Sequence, residues 1–290
     1  MNRQRLNRND RLLLAVFGSM LFALILIAFA PIGDEASLNV RVWAAVASPI
    51  FIATASTFIA AFAGTWGAQL LAERTANRRL MLSEMRGVNA ALGLAFNITN
   101  TYIVLKKQYV NPLVEAYESQ NVARKAHPKG EPFHYRLDLL NLTPPFSPID
   151  ELRQILGEKI TPDGKALVLL TPLVQSIQGV ADTLTRRDAW IAEIKKLPDS
   201  SDKLKAAMFF GLPQEGGLID DRYPTFVKGL KDQTDDCIAF SILLAEALLK
   251  YGERLAMLYG EGAPKISKAH YGKAKSLLPD MTLYQDWIAN

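Results

Sequence analysis

The chain has 290 residues, of which 49% are hydrophobic and 21% are charged, and its formal net charge is +4 at pH 7. This composition is that of a chain with enough apolar material for a core, and it excludes low-complexity and collagen-like proteins. The single cysteine, Cys237, excludes an internal disulfide framework, and three histidines do not supply a histidine-rich metal site. Because the charges are nearly balanced, we expect no nucleic-acid partner.

Residues 12–33 predict a first membrane span. They hold no charged residue in 22 positions, and a helix of that length reaches roughly 33 Å, enough for a hydrocarbon core of about 30 Å. A cleaved signal peptide is the alternative, because residues 1–11 are basic and Ala28–Ala30 resembles a cleavage site. The long apolar stretch and Pro31 directly after that site favour a retained span.

A second uncharged segment, residues 42–72, predicts a second span, and residues 34–41 form the connection. In this segment 17 of 31 residues are Ala, Gly, Ser or Thr. Small residues spaced four apart let two helix backbones approach closely. Such a face can pack against the first span of the same chain or against another copy of the chain. The residues predicted to pack in this way are Ser56, Ala60, Gly64 and Ala68.

Basic residues at both ends of the predicted hairpin predict its orientation. The positive-inside rule puts segments rich in arginine in the cytoplasm. The connection carries Asp34 and Glu35 with one basic residue, Arg41. We therefore expect both termini in the cytoplasm, the connection outside, and a two-span protein of the cell (inner) membrane. The topology-determining residues are Arg3, Arg5, Arg8, Arg11, Arg74, Arg78 and Arg79.

Residues 73–290 predict a single cytoplasmic all-helical domain. Apolar or small residues follow a 4-3 spacing from Met81 to Tyr102, which is typical of a helix packed along a seam. Asn111-Pro112 is expected to end or bend that helix. Alternating residues from Phe133 to Leu139 predict an extended segment, and Ser147 is expected to cap a following helix.

The later part of the domain predicts more helices. Residues 166–181 are uncharged and favour a buried core helix over a re-entrant segment. Short helices are expected at 202–210 and 221–230, and a long one from Asp232 to Tyr259, where Leu258 belongs to an apolar stripe. The predicted fold is therefore all-α: a two-helix transmembrane hairpin followed by a cytoplasmic helical bundle.

A search for chemistry gives only isolated candidates. The phosphate-binding glycine loops, the zinc-protease motif and the nucleophile elbow are all absent from the sequence. Asp232, Asp235 and Asp236 share a helix face and are capable of holding a divalent cation, but acidic residues at a helix start are more typical of dipole stabilisation. The remaining candidates also favour structural roles: His127, His134 and Asp138 as solvated residues, Cys237 as a core residue, and the basic segment 265–275 as a solvated face rather than a lipid contact.

These patterns predict a membrane-anchored, non-enzymatic protein that acts as a protein-interaction or signalling module at the cytoplasmic face. Its expected partners are the lipid bilayer and either a protein partner or a second copy bound through the second span. No catalytic, cofactor-binding or metal-binding residue is predicted, and no cofactor is expected. The alternative is an oligomeric membrane-permeabilising effector or channel subunit of the stress or phage-defence type, in which the second span lines a pore.

Overall fold

The computed structural model describes residues 49–128, 133–137, 140–162, 164–214 and 216–289. The chain divides into two compact units, Met1–Ala76 and Asn77–Asn290. The predicted first span, the predicted connection and the four N-terminal arginines lie outside the described residues.

Regular structure in the described part of the chain is helical, apart from one isolated antiparallel bridge between Pro213 and Ile219. The prediction of an all-α chain is thus confirmed for these residues. Short 3-10 turns occupy Asp199–Ser201, Gly272–Leu277 and Met281–Tyr284. The helices are α1 (Pro49–Leu105), a π-helical segment (Lys106–Val110), α2 (Asn111–Ala126), α3 (Ile149–Glu158), α4 (Gly164–Lys195), α5 (Asp202–Phe210), α6 (Arg222–Tyr259) and α7 (Gln285–Ala289).

The 4-3 stripe of α1 is buried as its spacing predicts. Met85, Val88, Leu92 and Ala95 are at most 5% exposed. The expectation that Asn111-Pro112 ends this helix is wrong, because the chain stays helical to Ala126. The alternative, a bend at this point, stays a prediction. The π-helical segment immediately precedes the proline, which then falls in the first turn of α2, where its missing N–H and fixed φ are tolerated.

Helix α4 packs along α6 and contributes a long buried face to the core. Leu169, Leu173, Val180 and Leu184 are all at most 1% exposed. Pro172 lies within the helix without ending it. The preceding helix, α3, begins one residue later than the predicted cap implies: Pro148 holds the N-cap position, and no side chain caps the helix.

The long helix α6 joins two predicted helices into one. The sequence predicts a break between 230 and 232, but the structure continues from Arg222 to Tyr259 because Leu230 and Thr234 are both fully buried against neighbouring elements. Its end is as predicted: Gly260 follows with φ of 79°, a conformation that glycine adopts without strain. Leu258 departs from the prediction, since it is 72% exposed.

Aromatic side chains form a second part of the core. Phe133, Tyr135 and Leu137 are half-buried while the residues between them are exposed, so the predicted extended alternation holds without a strand partner. Tyr135 contacts Phe209 and Phe210 of α5, with ring centroids 6.1 and 5.7 Å apart. Edge-to-face and offset contacts of this kind stabilise a core beyond simple area burial.

A close approach between α1 and α6 depends on Gly252. A Cβ atom at this position would meet Val88 Cγ1 at 2.9 Å and Ile266 Cγ2 at 3.1 Å. Gly93, on the exposed side of α1, has no atom within 4 Å of its added Cβ. The two glycines therefore form a matched pair, one at a tight contact and one in open space.

We predict that Gly252→Ala lowers the free energy of unfolding by about 1–3 kcal/mol, because the added methyl forces the helices apart. Gly93→Ala should instead raise it by about 0.5–1 kcal/mol through its better helix propensity. Thermal unfolding of the full chain, followed by circular dichroism in one detergent, measures both. Equal effects of the two substitutions would contradict the close packing at Gly252.

Candidate functional site

The most extensive polar arrangement in the C-terminal unit lies along the contact between α1 and α6. Thr99 bonds Ser241 at 2.8 Å with both side chains buried, and one turn further along α1 Tyr102 lies in hydrogen-bond contact with Cys237. The partners descend along α6 as α1 ascends, so the two helices run antiparallel. We call this row of pairs the polar seam; its members are Thr99, Tyr102, Lys106, Asp235, Cys237 and Ser241.

The π-helical segment supplies the charged member of the polar seam. Lys106 Nζ lies 2.5 Å from Asp235 Oδ1, and the two side chains are only 12% and 22% exposed. An extra residue per turn re-aims side chains locally, as π segments commonly do. Because both charges are largely removed from water, their pairing fixes which residues of the two elements face each other.

The acidic cluster predicted from the sequence is divided between different partners. Asp235 pairs with Lys106, and Asp236 accepts a hydrogen bond of 2.6 Å from the Tyr284 hydroxyl. Burial raises the pKa of Asp236, the Tyr284 hydrogen bond lowers it, and the nearby carboxylates of Asp232 and Asp235 raise it further. In the described part of the chain, no three His, Cys, Asp or Glu side chains are arranged to hold a metal ion.

The remaining sequence candidates are not brought together. His127 packs edge-on against Phe133 with ring centroids 5.4 Å apart, whereas His134 is exposed, and Asp138 lies outside the described residues. Cys237 is fully buried, and desolvation raises the pKa of its thiol. A thiol held protonated in this way is a core group and not an activated nucleophile.

The predicted membrane-packing residues lie on one helix, in the first part of α1. Ser56, Ala60, Gly64 and Ala68 are all exposed with respect to the described residues. An added Cβ at Gly64 meets no described atom within 4 Å. This face is therefore open within the described chain, and the predicted packing partner is untested.

Among the predicted topology residues, Arg74, Arg78 and Arg79 lie on exposed positions of α1. Arg78 is placed by an aromatic contact, with its guanidinium carbon 5.1 Å from the centroid of the Tyr259 ring at the end of α6. Their role in setting orientation stays a prediction.

Sequence reasoning missed Arg187, the most deeply buried charged side chain in the described residues. It is 1% exposed, and its Nη1 donates to the Leu140 carbonyl at 2.8 Å. Arg187 lies on the inward face of α4. In the sequence two arginines, Arg186 and Arg187, follow each other, and this pattern does not indicate which of the two side chains is buried. This hydrogen bond holds the 140–148 segment against α4, so the buried arginine stabilises the fold.

A cavity of about 460 Å³ lies between α6 and residues 267–281. Leu92, Leu243, Leu249 and Leu278 give it apolar walls, and Glu246 reaches its rim. Ser267, Lys268, His270 and Tyr271 also line the cavity, so it has polar side chains on the side formed by residues 267–271, and Lys268 pairs with Glu253 at 3.0 Å.

No family model, no curated protein and no solved structure matches this chain. The function therefore has to be inferred from the chemistry and placement of the chain's own residues. Among those, the buried polar groups described above are chiefly engaged in holding the helices together.

We predict that Lys106→Met lowers the free energy of unfolding by about 1–3 kcal/mol, because it leaves the Asp235 carboxylate largely buried without its cation. The matched control is Arg153→Met, which removes an ion pair to Asp150 whose side chains are 57% and 88% exposed. The control should change stability by less than about 0.5 kcal/mol. Chemical denaturation of both variants measures the difference, and equal values would refute a structural role for the buried pair.

We also predict a pH-dependent effect of Asp236→Asn. The amide oxygen can still accept the Tyr284 hydrogen bond, while the buried negative charge is removed. Since the pKa of Asp236 is raised on folding, the native state binds its proton more readily than the unfolded state, and stability from this group is lost as the pH rises through the folded pKa.

The Asn variant should therefore melt at a higher temperature than the wild type near neutral pH, and this advantage should shrink as the pH falls from about 7 to about 4. Asp150→Asn, at a position 88% exposed, should show no such trend. A melting difference that is constant with pH would show that Asp236 does not titrate in this window.

Proposed function

We propose that this chain is a membrane-anchored, non-enzymatic helical protein, with its first residues forming a transmembrane hairpin and its C-terminal unit acting as an interaction module at the cytoplasmic face. The observation that carries the proposal is the apolar exterior of the first part of α1. Phe58, Ile59, Leu70 and Leu71 are 43%, 63%, 41% and 65% exposed. Exposed apolar side chains in such a row are unfavourable in water and favourable in lipid.

The polar side chains of this stretch are compatible with a hydrocarbon surrounding. Thr57 Oγ1 donates to the Ala53 carbonyl at 2.8 Å, and Thr65 Oγ1 donates to the Ala61 carbonyl at 2.9 Å. Hydroxyls bonded one turn back along their own helix need no water, so they do not oppose insertion. Basic residues begin at Arg74, directly after the apolar stretch, as expected for a cytoplasmic flank.

Two helical stretches in the described part of the chain are long and apolar enough to cross a membrane by length and composition: Ser56–Ala126 and Gly164–Lys195. The second is α4, whose inward face packs against α6 and carries the buried Arg187. The apolar windows of the two stretches are 50% and 33% buried inside the structure, so length and composition alone do not distinguish them. The first part of α1 is proposed as the anchor because its own apolar side chains are exposed.

The interaction role is supported by apolar groups exposed on the C-terminal unit. A groove of about 370 Å³ is lined by residues that include Val104, Tyr109 and Pro145. Val104 and Tyr109 are 48% and 46% exposed, and Phe146 is 80% exposed. Apolar side chains clustered at a surface are typical of contacts with another protein.

The second candidate function is an oligomeric membrane-permeabilising effector, in which the first part of α1 would pack against other copies of the chain. The small-residue face at Ser56, Ala60, Gly64 and Ala68 is open among the described residues. Close helix packing between copies would use that face. The absence of any charged residue from 42–72 speaks against an ion pathway of the usual kind.

The deciding measurement has two parts. Alkaline extraction of cell membranes should leave the full chain in the pellet, and a fluorescent reporter fused after Asn290 should fluoresce, as it does only in the cytoplasm. Extraction into the supernatant would contradict the anchor. A dark reporter at normal expression would contradict the orientation.

The subunit count of the full chain in lipid nanodiscs, by native mass spectrometry, separates the two functions. A monomer or dimer is expected for the anchored module, with membrane potential unaffected by overexpression. A closed ring of four or more copies, together with a collapse of membrane potential that Gly64→Leu prevents, would instead establish the effector.

A further inference from the structure

The last turn of α6, which contacts the first residues of the C-terminal unit through Arg78, has a composition unlike the rest of the helix. The outward face of α6 is charged at Glu246, Lys250 and Glu253. In its last turn this face changes to Met257 and Leu258, which are 73% and 72% exposed. Large apolar side chains thus replace charges at one end of the helix only.

Cationic side chains accompany this apolar turn. Arg78 stacks on the ring of Tyr259, the final residue of α6, at 5.1 Å from its centroid. Arg79 directly follows Arg78, and Arg254 lies five residues before Tyr259 on α6. Both side chains are exposed. The acidic residues here are Glu253, which pairs with Lys268 at 3.0 Å, and Glu261 in the loop that follows α6. Arg254 lies over the ring of Tyr251, with its guanidinium carbon 5.9 Å from the centroid.

The length of the chain limits how far this turn can lie from a bilayer. Arg78 follows the predicted end of the second span at Ala72 by six residues. Even a fully extended chain covers only about 20 Å in that distance. Tyr259 contacts Arg78, so the last turn of α6 is held within reach of the membrane surface whatever the conformation of residues 73–77.

We propose that the last turn of α6 and the loop that follows it form a docking surface for an anionic bilayer, with Met257 and Leu258 inserted among the lipid headgroups and Arg78 and Arg79 facing their phosphates. This inference rests on the proposed membrane anchor and adds a second contact to it. Tyrosine and arginine favour the interface because their apolar parts and polar tips are separated. Basic residues close to the surface of an anionic leaflet are attracted to it.

The test uses the full chain in nanodiscs, one protein per disc, with Leu258→Cys labelled by an environment-sensitive fluorophore. Cys237, the single native cysteine, is buried and does not compete for the label. The control is Leu283→Cys, at a position 79% exposed. The next residue, Tyr284, donates a hydrogen bond to Asp236 of α6. Asp236 lies about 30 Å along α6 from Met257, at a rise of about 1.5 Å per residue, so the control position is far from the proposed docking surface.

With nitroxide quenchers in the headgroup region, we expect several-fold stronger quenching at position 258 than at 283. Replacing part of the phosphatidylcholine by phosphatidylglycerol should increase the quenching at 258. Raising the salt from about 0.1 M to about 1 M, which shortens the Debye length from about 10 Å to about 3 Å, should abolish that increase. Met257→Glu should reduce quenching at 258 to the control level while leaving the chain in the disc.

Equal quenching at the two positions in discs that contain the chain would overturn the docking surface and leave the anchor standing. Failure of the chain to enter discs at all would overturn both. Quenching that appears only when two copies share a disc would overturn the proposal in favour of a second copy as the occupant.

Discussion

The antiparallel contact of α1 with α6 is the constraint on which the C-terminal unit depends. It runs from Arg78 and Tyr259 at one end to Lys106 and Asp235 at the other, and Gly252 permits a tight contact with Val88 between these ends. Helix α4 packs on α6, and the C-terminal segment is held to α1 through Asn89, whose side chain bonds the backbone of Lys265 and Ser267. Helix α4 and the C-terminal segment therefore both pack against this one pair of helices.

The buried apolar pattern along this contact was predictable from the sequence, because helical periodicity records burial directly. The 4-3 stripe from Met81 to Tyr102 and the end of α6 at Gly260 were both predicted correctly. Helix α5 was predicted with the bounds that the structure gives it. These features depend on local sequence signals that tertiary packing then reinforces.

The errors have a common physical origin, since each concerns a feature decided by packing and not by local preference. Pro112 does not end a helix, because the chain remains helical through the π-helical segment that precedes it and into α2. Leu258 continues an apolar stripe whose partner elements stop short of it, so it is exposed. The partners of Lys106 and Arg187 lie on distant segments, and no spacing rule in a single sequence specifies such pairs.

The polar seam also explains how one packing arrangement is selected from several. A shift of α1 along α6 by one heptad would remove Gly252 from its tight contact with Val88, where a Cβ atom does not fit. Such a shift would also place Lys106 opposite Ile242 in one direction and opposite Lys228 in the other, seven residues to either side of Asp235. Either alternative separates the largely buried Lys106 and Asp235 charges, which is unfavourable. The buried pair thus acts against wrong registers of α1 on α6.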